Sequence, residues 1–233
     1  MVSIDTVYQK VLALANKEQR GYITPQEFNL FADQAQKEIL DQYFYDINQF
    51  SRAHGNDTEY SDMLDLLNEK LSILEVRTLG QTVPTTGIFN YQTLVPSVYR
   101  IGSIMGGNGI EVEEVNNNEY YNIRSSPLTR PSLTRPIYVN RIDGLNIYPA
   151  DIGTIDISYI KTLERPQWGY VVVDERALFD PNPNKTTNFE LHPVEESELV
   201  YKILKFGGIT IEKDQIMNAG QSMEMAKVSQ EKQ

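Results

Sequence analysis

The sequence predicts an α+β protein, with an N-terminal helical bundle, a central and mostly antiparallel β domain with long extended loops, and C-terminal helices. Three observations predict this class. Apolar residues recur at helical spacing up to Leu74, short β-branched and aromatic runs separated by turn residues follow from Gly80, and helical spacing returns after Pro193. We expect the helical bundle over residues 1–78, the β-rich domain with an arginine-bearing arm over 79–192, and the C-terminal helical segment over 193–233.

Amphipathic spacing marks the first and the last helix. Ser3 is a suitable N-cap, and the apolar residues after it share one helical face: Ile4, Val7, Tyr8, Val11, Leu12 and Ala15. This helix should end near Gly21. The last helix begins close to Pro193 and stops at Gly207-Gly208. The polar residues after it have weak helical spacing, so we expect them to need a partner.

The second helix has the clearest start in the chain. Thr24-Pro25-Gln26-Glu27 combines a capping box with proline at the first helical position, so two independent signals coincide. The apolar and aromatic stripe that follows predicts a helix to about Phe50. Apolar residues between Tyr60 and Leu74 then recur at helical spacing, which predicts a third helix.

Five strands are predicted in the central region, and two glycine-containing turns should join them. Gly106-Gly107-Asn108-Gly109 should link the first two strands, and Asp143-Gly144 is the signal for a type I′ turn between the next pair. The expected strands are Ser97–Met105, Ile110–Val115, Ile137–Ile142, Leu145–Tyr148 and Thr154–Thr162.

The composition limits the class of protein. The chain has 233 residues, of which 40% are hydrophobic and 23% are charged, as in an ordinary globular protein. It has no cysteine, which excludes disulfides and thiolate metal sites. No apolar run approaches the roughly 20 residues of a membrane span. The net charge of −11 argues against general nucleic-acid binding, because such binding depends on Lys and Arg.

Positive charge is concentrated in one stretch. From Tyr120 to Ile142 there is no acidic residue and no lysine, but there are four arginines: Arg124, Arg130, Arg135 and Arg141. This stretch carries a charge of +4. Because the net charge of the whole chain is −11, the remainder of the chain carries −15. Such a strip suits an acidic neighbour or DNA in a channel, and solvated or internally paired arginines are the alternative.

The arginine stretch also contains a near-repeat. Leu128-Thr129-Arg130-Pro131 is followed by Leu133-Thr134-Arg135-Pro136, and prolines at this density exclude a helix or a central strand. An extended loop is therefore expected. It is either an arm that reaches a neighbouring subunit or an irregular connection within its own domain.

No constellation of catalytic or metal-binding residues can be assembled. Neither histidine, His54 or His192, sits in a metal-ligand pattern. Asp180-x-Asn182-x-Asn184 matches the first three ligand positions of a calcium loop, but Lys185 and Leu191 occupy the glycine and glutamate positions. We therefore predict that the protein is not an enzyme and has no cofactor, no metal and no catalytic residue.

Four parts of the chain carry a resemblance to a known family. They are Gly21-Tyr22-Ile23-Thr24-Pro25-Gln26-Glu27-Phe28-Asn29, the stretch from Leu145-Asn146-Ile147-Tyr148-Pro149 to Ile155-Asp156-Ile157-Ser158-Tyr159-Ile160-Lys161, Pro166-Gln167-Trp168-Gly169-Tyr170, and Glu190-Leu191-His192-Pro193 to Glu198-Leu199-Val200-Tyr201-Lys202-Ile203-Leu204. Together they resemble the head-to-tail connector proteins, also called adaptor or neck ring proteins, of short-tailed, crAss-like bacteriophages. The resemblance spans most of the chain.

The resemblance implies a structural virion protein that is assembled in the cytoplasm of the bacterial host and localises to the neck between head and tail. It implies a homo-oligomeric ring of about twelve copies that is stacked below the portal protein and touches other neck or tail ring proteins. Genomic DNA would pass through the ring without sequence-specific binding, since an acidic wall repels it. Contact with a membrane is not expected.

Two other functions stay open. A tail-associated receptor or glycan-binding protein would use aromatic residues with polar tips, and Trp168 should then be exposed on a shallow groove. In a ring subunit, Trp168 should instead be buried against neighbours. A virion enzyme would show a cleft with convergent carboxylates of shifted pKa. The candidate subunit-interface residues are Arg124, Arg130, Arg135, Arg141 and Trp168.

Overall fold

The α+β class is confirmed by a computed structural model, which describes residues 1–17, 23–52, 58–182, 184–210, 222, 223, 225–227 and 229. The helices in these ranges are α1 Ile4–Lys17, α2 Pro25–Arg52, α3 Thr58–Ser72, α4 Asn117–Ser125 and α5 Glu196–Thr210. The strands are β1 Glu75–Thr82, β2 Ile88–Phe89, β3 Val98–Gly106, β4 Glu113–Glu114, β5 Ile137–Arg141, β6 Gly144–Tyr148, β7 Thr154–Lys161, β8 Tyr170–Val173 and β9 Arg176–Phe179. Within the described residues, no helix combines the length and the apolar character that crossing a membrane requires.

The chain divides into two compact units. The first unit consists of Met1–Ile73 and Leu163–Gln233, and the second consists of Leu74–Thr162. This division differs from the three consecutive domains that the sequence suggested. Residues 163–192 belong with the helices because they are fixed there by long-range contacts: the amide N–H of Phe189 donates to the carbonyl of Val2 at 3.1 Å, and Phe189 is fully buried.

The first unit is built from helices whose apolar faces meet. α5 packs against α1 and α2, and α3 packs against α2. Its buried residues follow the predicted helical spacing and include Ile4, Val7, Val11, Phe28, Ala35, Ile39, Leu199 and Ile203. The predicted second and third helices are confirmed as α2 and α3. The predicted end of the first helix near Gly21 lies outside the described residues.

The predicted capping box at the start of α2 is confirmed in both directions. The Thr24 backbone N–H donates to Glu27 Oε2 at 2.9 Å, and the Glu27 backbone N–H donates to Thr24 Oγ1 at 3.3 Å. Hydrogen bonds from the Thr24 backbone and side chain lower the pKa of Glu27. Two backbone donors that α2 cannot satisfy internally thus find partners.

The second unit contains two small sheets around a shared apolar core. β1, β7 and β3 form an antiparallel sheet with β7 in the centre, and the other sheet has the order β2-β6-β5-β4. β4 is parallel to β5, and the remaining pairs are antiparallel. The core residues include Phe89, Ile104, Val112, Tyr138, Leu145, Ile147, Ile155, Ile157 and Tyr159. Four predicted strands are confirmed as β3, β5, β6 and β7, whereas only Glu113–Glu114 of the fifth is a strand.

The two predicted turns have different outcomes. The Gly106–Gly109 turn is confirmed, because the Gly109 N–H donates to the Gly106 carbonyl at 2.8 Å. β5 and β6 also form the expected hairpin, but the prediction of a type I′ turn at Asp143-Gly144 is wrong. Arg141 pairs with Gly144, and neither intervening residue has positive φ. Gly144 itself has φ 129° and lies against the Phe89 carbonyl, which leaves no room for a Cβ atom.

Replacing the capping threonine tests the start of α2. Thr24→Ala should lower the free energy of unfolding by about 1 kcal/mol, because it removes one of the two reciprocal hydrogen bonds. Urea denaturation followed by the fluorescence of Trp168, the only tryptophan, reports on the first unit. Thr134→Ala, an exposed threonine in the second unit, is the control and should leave the midpoint unchanged. Equal effects of the two substitutions would contradict the capping role.

Candidate interaction surfaces

Trp168 is a core residue of the first unit. Its side chain is 2% exposed, and its indole Nε1 donates to Asp5 Oδ1 at 2.9 Å. The ring lies 4.2 Å from the ring of Tyr8 and stacks at 5.9 Å on both Tyr170 and Phe179. The side chain of Trp168 is therefore buried within its own chain, whereas the sequence suggested an interface between subunits, and it does not line an open groove.

The backbone of Trp168 is held as firmly as its side chain. Its N–H donates to Asn29 Oδ1 at 2.7 Å, and Asn29 Nδ2 donates to its carbonyl at 3.3 Å. One side chain on α2 thus satisfies both backbone groups, which would be costly to leave unpaired. Two residues later, β8 begins. The base of the β8–β9 hairpin is consequently anchored to α1 and α2.

The β8–β9 hairpin turns at Asp174-Glu175. Val173 pairs with Arg176, so the turn has two residues, and their φ angles are 47° and 61°. Positive φ at both positions is the geometry of a type I′ turn. The sequence does not predict this hairpin, because the usual Asn-Gly or Asp-Gly signal is absent. The run of three valines, Val171 to Val173, was the remaining signal for a strand.

The outer part of the β8–β9 hairpin exposes large apolar side chains. Within the described chain, β8 and β9 form a sheet of their own and pair with no further strand. Val172 is 63% exposed, and the other exposed apolar residues are Val171, Val173, Leu178 and Phe179. A two-stranded hairpin is marginally stable by itself, and a contiguous apolar surface is typical of a docking site.

Three of the predicted interface arginines are well exposed in the second unit. Arg124 lies in the last turn of α4, and Arg130 and Arg135 lie in the loop between α4 and β5. Arg135 approaches Glu113 at 3.6 Å, but both side chains are 60% exposed, so this ion pair contributes little to the free energy of folding. Among the described residues, neither Arg124 nor Arg130 has a carboxylate partner.

The fourth arginine is fixed on a tyrosine pair. Arg141 Nη2 donates to Asn117 Oδ1 at 2.9 Å, and its guanidinium lies 5.8 Å from the ring centre of Tyr120. Tyr120 stacks on Tyr148 at 4.5 Å. Burial and the hydrogen bond with Tyr120 raise the pKa of Tyr148, and the charges of Arg141 and Arg124 oppose this rise. The structure thus brings Arg124 and Arg141 together beside Tyr148.

The extended loop is tied to its own unit. Asn108 Nδ2 donates to the Leu133 carbonyl at 2.8 Å, and Thr129 Oγ1 donates to the Ile123 carbonyl at 3.1 Å. The loop is therefore an ordered connection within the second unit. It still presents apolar side chains to solvent, since Leu128 is 97% exposed and Ile142, in the β5–β6 turn, is 98% exposed. Residues 120–142 are called the arginine stretch below.

A cluster of buried charges lies in the first unit. Glu195, which is fully buried, pairs with Lys70 at 2.7 Å and with Lys227 at 3.1 Å. Glu198 pairs with Lys227 at 3.0 Å and with Lys202 at 3.7 Å. The lysines come from α3, α5 and the C-terminal segment, so sequence spacing does not reveal the cluster. In the described part of the C-terminal segment, Lys227 thus connects the chain to Glu195 and to Glu198 of α5.

The environment of Glu195 keeps it ionised. Burial alone would raise its pKa, but the hydrogen bond from Lys70 and the charge of Lys227 lower the pKa to about 2. Burial raises the pKa of Glu198 against the opposing charge of Lys227. The carboxylates of the two residues do converge and have shifted pKa values, as an enzyme site would require. They are buried and paired with lysines, however, which is the arrangement of a structural ion-pair cluster.

The other candidate ligands have local structural roles. His192 Nδ1 accepts a hydrogen bond from the Val194 N–H at 3.3 Å and caps the turn before α5, while His54 lies outside the described residues. Lys185 donates to Asp180 Oδ2 at 2.8 Å and lowers the pKa of Asp180, so a cation already occupies this loop. No group of three or more potential metal ligands occurs among the described residues.

Comparison with known proteins adds no family to these observations. Neither a scan against protein-family models nor a search among curated proteins finds a match to this chain. The four segments quoted above therefore remain the basis of the resemblance to neck ring proteins.

Removing the cation that two buried glutamates share should destabilise the first unit. Lys227→Met should lower the free energy of unfolding at pH 7 by about 3 kcal/mol, because it leaves part of a buried charge uncompensated. Lys10→Met is the matched control. It removes an exposed ion pair between Lys10 on α1 and Glu196 on α5, and it should lower the free energy of unfolding by less than about 1 kcal/mol. Urea denaturation measures both values, and a cost for Lys227→Met no larger than that of the control would contradict the cluster.

The same variant should change the pH dependence of stability. The folded pKa of Glu195 lies below its ordinary value of 4.5, so the stability it contributes is present above pH 4.5 and is lost as pH falls toward about 2. In Lys227→Met the pKa returns toward 4.5, and this loss should become smaller. Unfolding free energies at several pH values between 4.5 and 2 measure it. An unchanged slope would show that Lys227 does not act on Glu195.

Removing the Asn29 side chain, which bonds both backbone groups of Trp168, should destabilise the base of the β8–β9 hairpin. Asn29→Ala should cost about 2 kcal/mol, because the N–H and carbonyl of Trp168 lose their partners. Hydrogen exchange of the Trp168 amide should accelerate by about the corresponding thirtyfold. Gln34→Ala, which removes an exposed side chain from the same helix, should change neither quantity. Unaltered exchange in Asn29→Ala would exclude the anchoring role.

Proposed function

We propose that this protein is a structural subunit of a phage neck, where about twelve copies form a ring between the portal protein and the tail. The observation that carries the proposal is the β8–β9 hairpin, which projects large apolar side chains from a rigidly anchored base. A subunit that works by packing against other subunits needs such a surface. The resemblance of the sequence to head-to-tail connector proteins supports the same assignment.

The charge distribution suits a ring around DNA. With a net charge of −11, the protein opposes close binding of the phosphate backbone, so genomic DNA slides through without sequence-specific contacts. The arginine stretch then faces another protein, either a neighbouring copy, the portal or another neck or tail ring. The absence of membrane contact and the location at the virion neck belong to the same proposal.

The alternative functions have less support. The glycan-binding hypothesis requires an exposed Trp168, but this side chain is buried in the core. The enzyme hypothesis requires convergent carboxylates in an open cleft. The convergent carboxylates of Glu195 and Glu198 are instead buried and paired with lysines. We therefore keep the proposal that the protein is not an enzyme.

Counting the protein in purified phage particles tests the proposed function. Quantitative mass spectrometry of particles from the source should find about one copy of this chain for each portal subunit, because stacked rings share a symmetry axis. The major capsid protein serves as the internal standard for intact particles. If the chain is absent from the particles, the neck assignment is wrong.

A further inference from the structure

We propose that the β8–β9 hairpin of one copy docks on the arginine stretch of the next copy, so that neighbouring subunits join head to tail. This inference rests on the proposed ring function and specifies its subunit contact. It commits to a second copy of this chain as the occupant of the hairpin surface.

The hairpin offers an apolar body with an acidic tip. Strand pairing places Val171, Val173 and Leu178 on one face, and all three are exposed, with the exposed Arg176 opposite Val173 on the same face. Asp174 and Glu175 form the turn and are also exposed. A partner surface for this hairpin must therefore combine apolar side chains with positive charge.

The arginine stretch has the complementary character. Leu128 and Ile142 are almost fully exposed, and Arg124, Arg130 and Arg135 are exposed beside them in sequence. For Arg124 and Arg130, the described part of the chain supplies no carboxylate. These side chains are thus available for the acidic tip of another molecule.

The overall charge argues for this pairing of surfaces. Outside the arginine stretch the chain carries −15, so two copies repel one another over most of their surfaces. The arginine stretch, with +4 and no acid, is where an acidic hairpin tip can approach with a favourable electrostatic energy. Two hairpins facing each other would instead bring four acidic turn residues together with only two cations, the Arg176 side chains. Charge complementarity therefore selects the hairpin-to-stretch contact.

A contact between two different surfaces is heterologous. Each copy then uses its hairpin on one neighbour and its arginine stretch on the other, and such a contact closes into a ring when the rotation per subunit divides the circle. A single type of contact repeated around the axis is sufficient for the proposed assembly.

Disulfide trapping tests the contact, since the natural chain has no cysteine. One protein carries Val173→Cys on the docking face of the hairpin, and a second carries Leu128→Cys in the arginine stretch. When the two are mixed at high concentration and oxidised, the heterodimer should form at least about tenfold faster than with a Leu79→Cys partner, because docking raises the local concentration of the thiols. Leu79 is an exposed apolar residue on β1 and serves as the control.

Charge reversal provides an independent check. Arg130→Glu with Arg135→Glu should reduce trapping to the rate of the Leu79→Cys control, and Asp174→Lys with Glu175→Lys in the partner should restore it. These side chains are exposed, so the reversals leave the cores intact. If the rate of disulfide formation is unchanged by both charge reversals, the proposed contact is wrong. A rate equal to that of the Leu79→Cys control in the unreversed pair would contradict it too. Predominant trapping between two Val173→Cys chains would overturn it as well.

A chain carrying both cysteines should give a ladder of covalent oligomers, and the longest member reports the number of copies in a closed ring. Dimers without longer species would contradict the head-to-tail arrangement. The failures of the two proposals are distinguishable. Hairpin-to-stretch trapping by a chain that is absent from phage particles would refute the neck function alone, whereas a particle component that shows no trapping would refute the contact alone.

Discussion

The environment of Trp168 is the interaction on which the β8–β9 hairpin depends. A buried indole requires a partner for its N–H and apolar surfaces for its faces, and here Asp5 provides the first and Tyr8 a part of the second. Asn29 fixes the backbone at the same point. The hairpin is therefore rigid where it leaves the helices and exposed where it turns. Ordering the base in the monomer reduces the conformational entropy that docking must remove.

In the described part of the C-terminal segment, Lys227 forms ion pairs with two buried glutamates. The apolar residues of this segment have weak helical spacing, and the sequence therefore suggested that it needs a partner. The structure identifies this partner within the same chain, since Lys227 bridges Glu195 and Glu198. Such a cluster costs desolvation energy, but removal of one member is more costly still.

Local signals predicted what is locally determined. The capping box at Thr24, the helical stripes and the strands β3, β5, β6 and β7 were visible in the sequence, whereas β1, which is as long as β7, was not predicted. α4 was missed because its one buried side chain, Tyr120, gives no stripe. The β8–β9 hairpin was missed because Asp174-Glu175 adopts positive φ without glycine. Trp168 was named a candidate interface residue because composition cannot distinguish an aromatic residue packed against a neighbouring subunit from one packed on distant helices of its own chain.

The second unit interrupts the first, and this order affects how the chain folds as it leaves the ribosome. The two ends of the second unit meet, because the Lys161 N–H donates to the Leu74 carbonyl at 3.0 Å. This unit is continuous in sequence, so it can close as soon as its last strand has been synthesised. The preceding helices must wait for Trp168, Phe189 and α5 before their apolar faces are covered. During translation, α1 to α3 are thus synthesised before the second unit but covered after it, so they stay open to aggregation and proteolysis for longer.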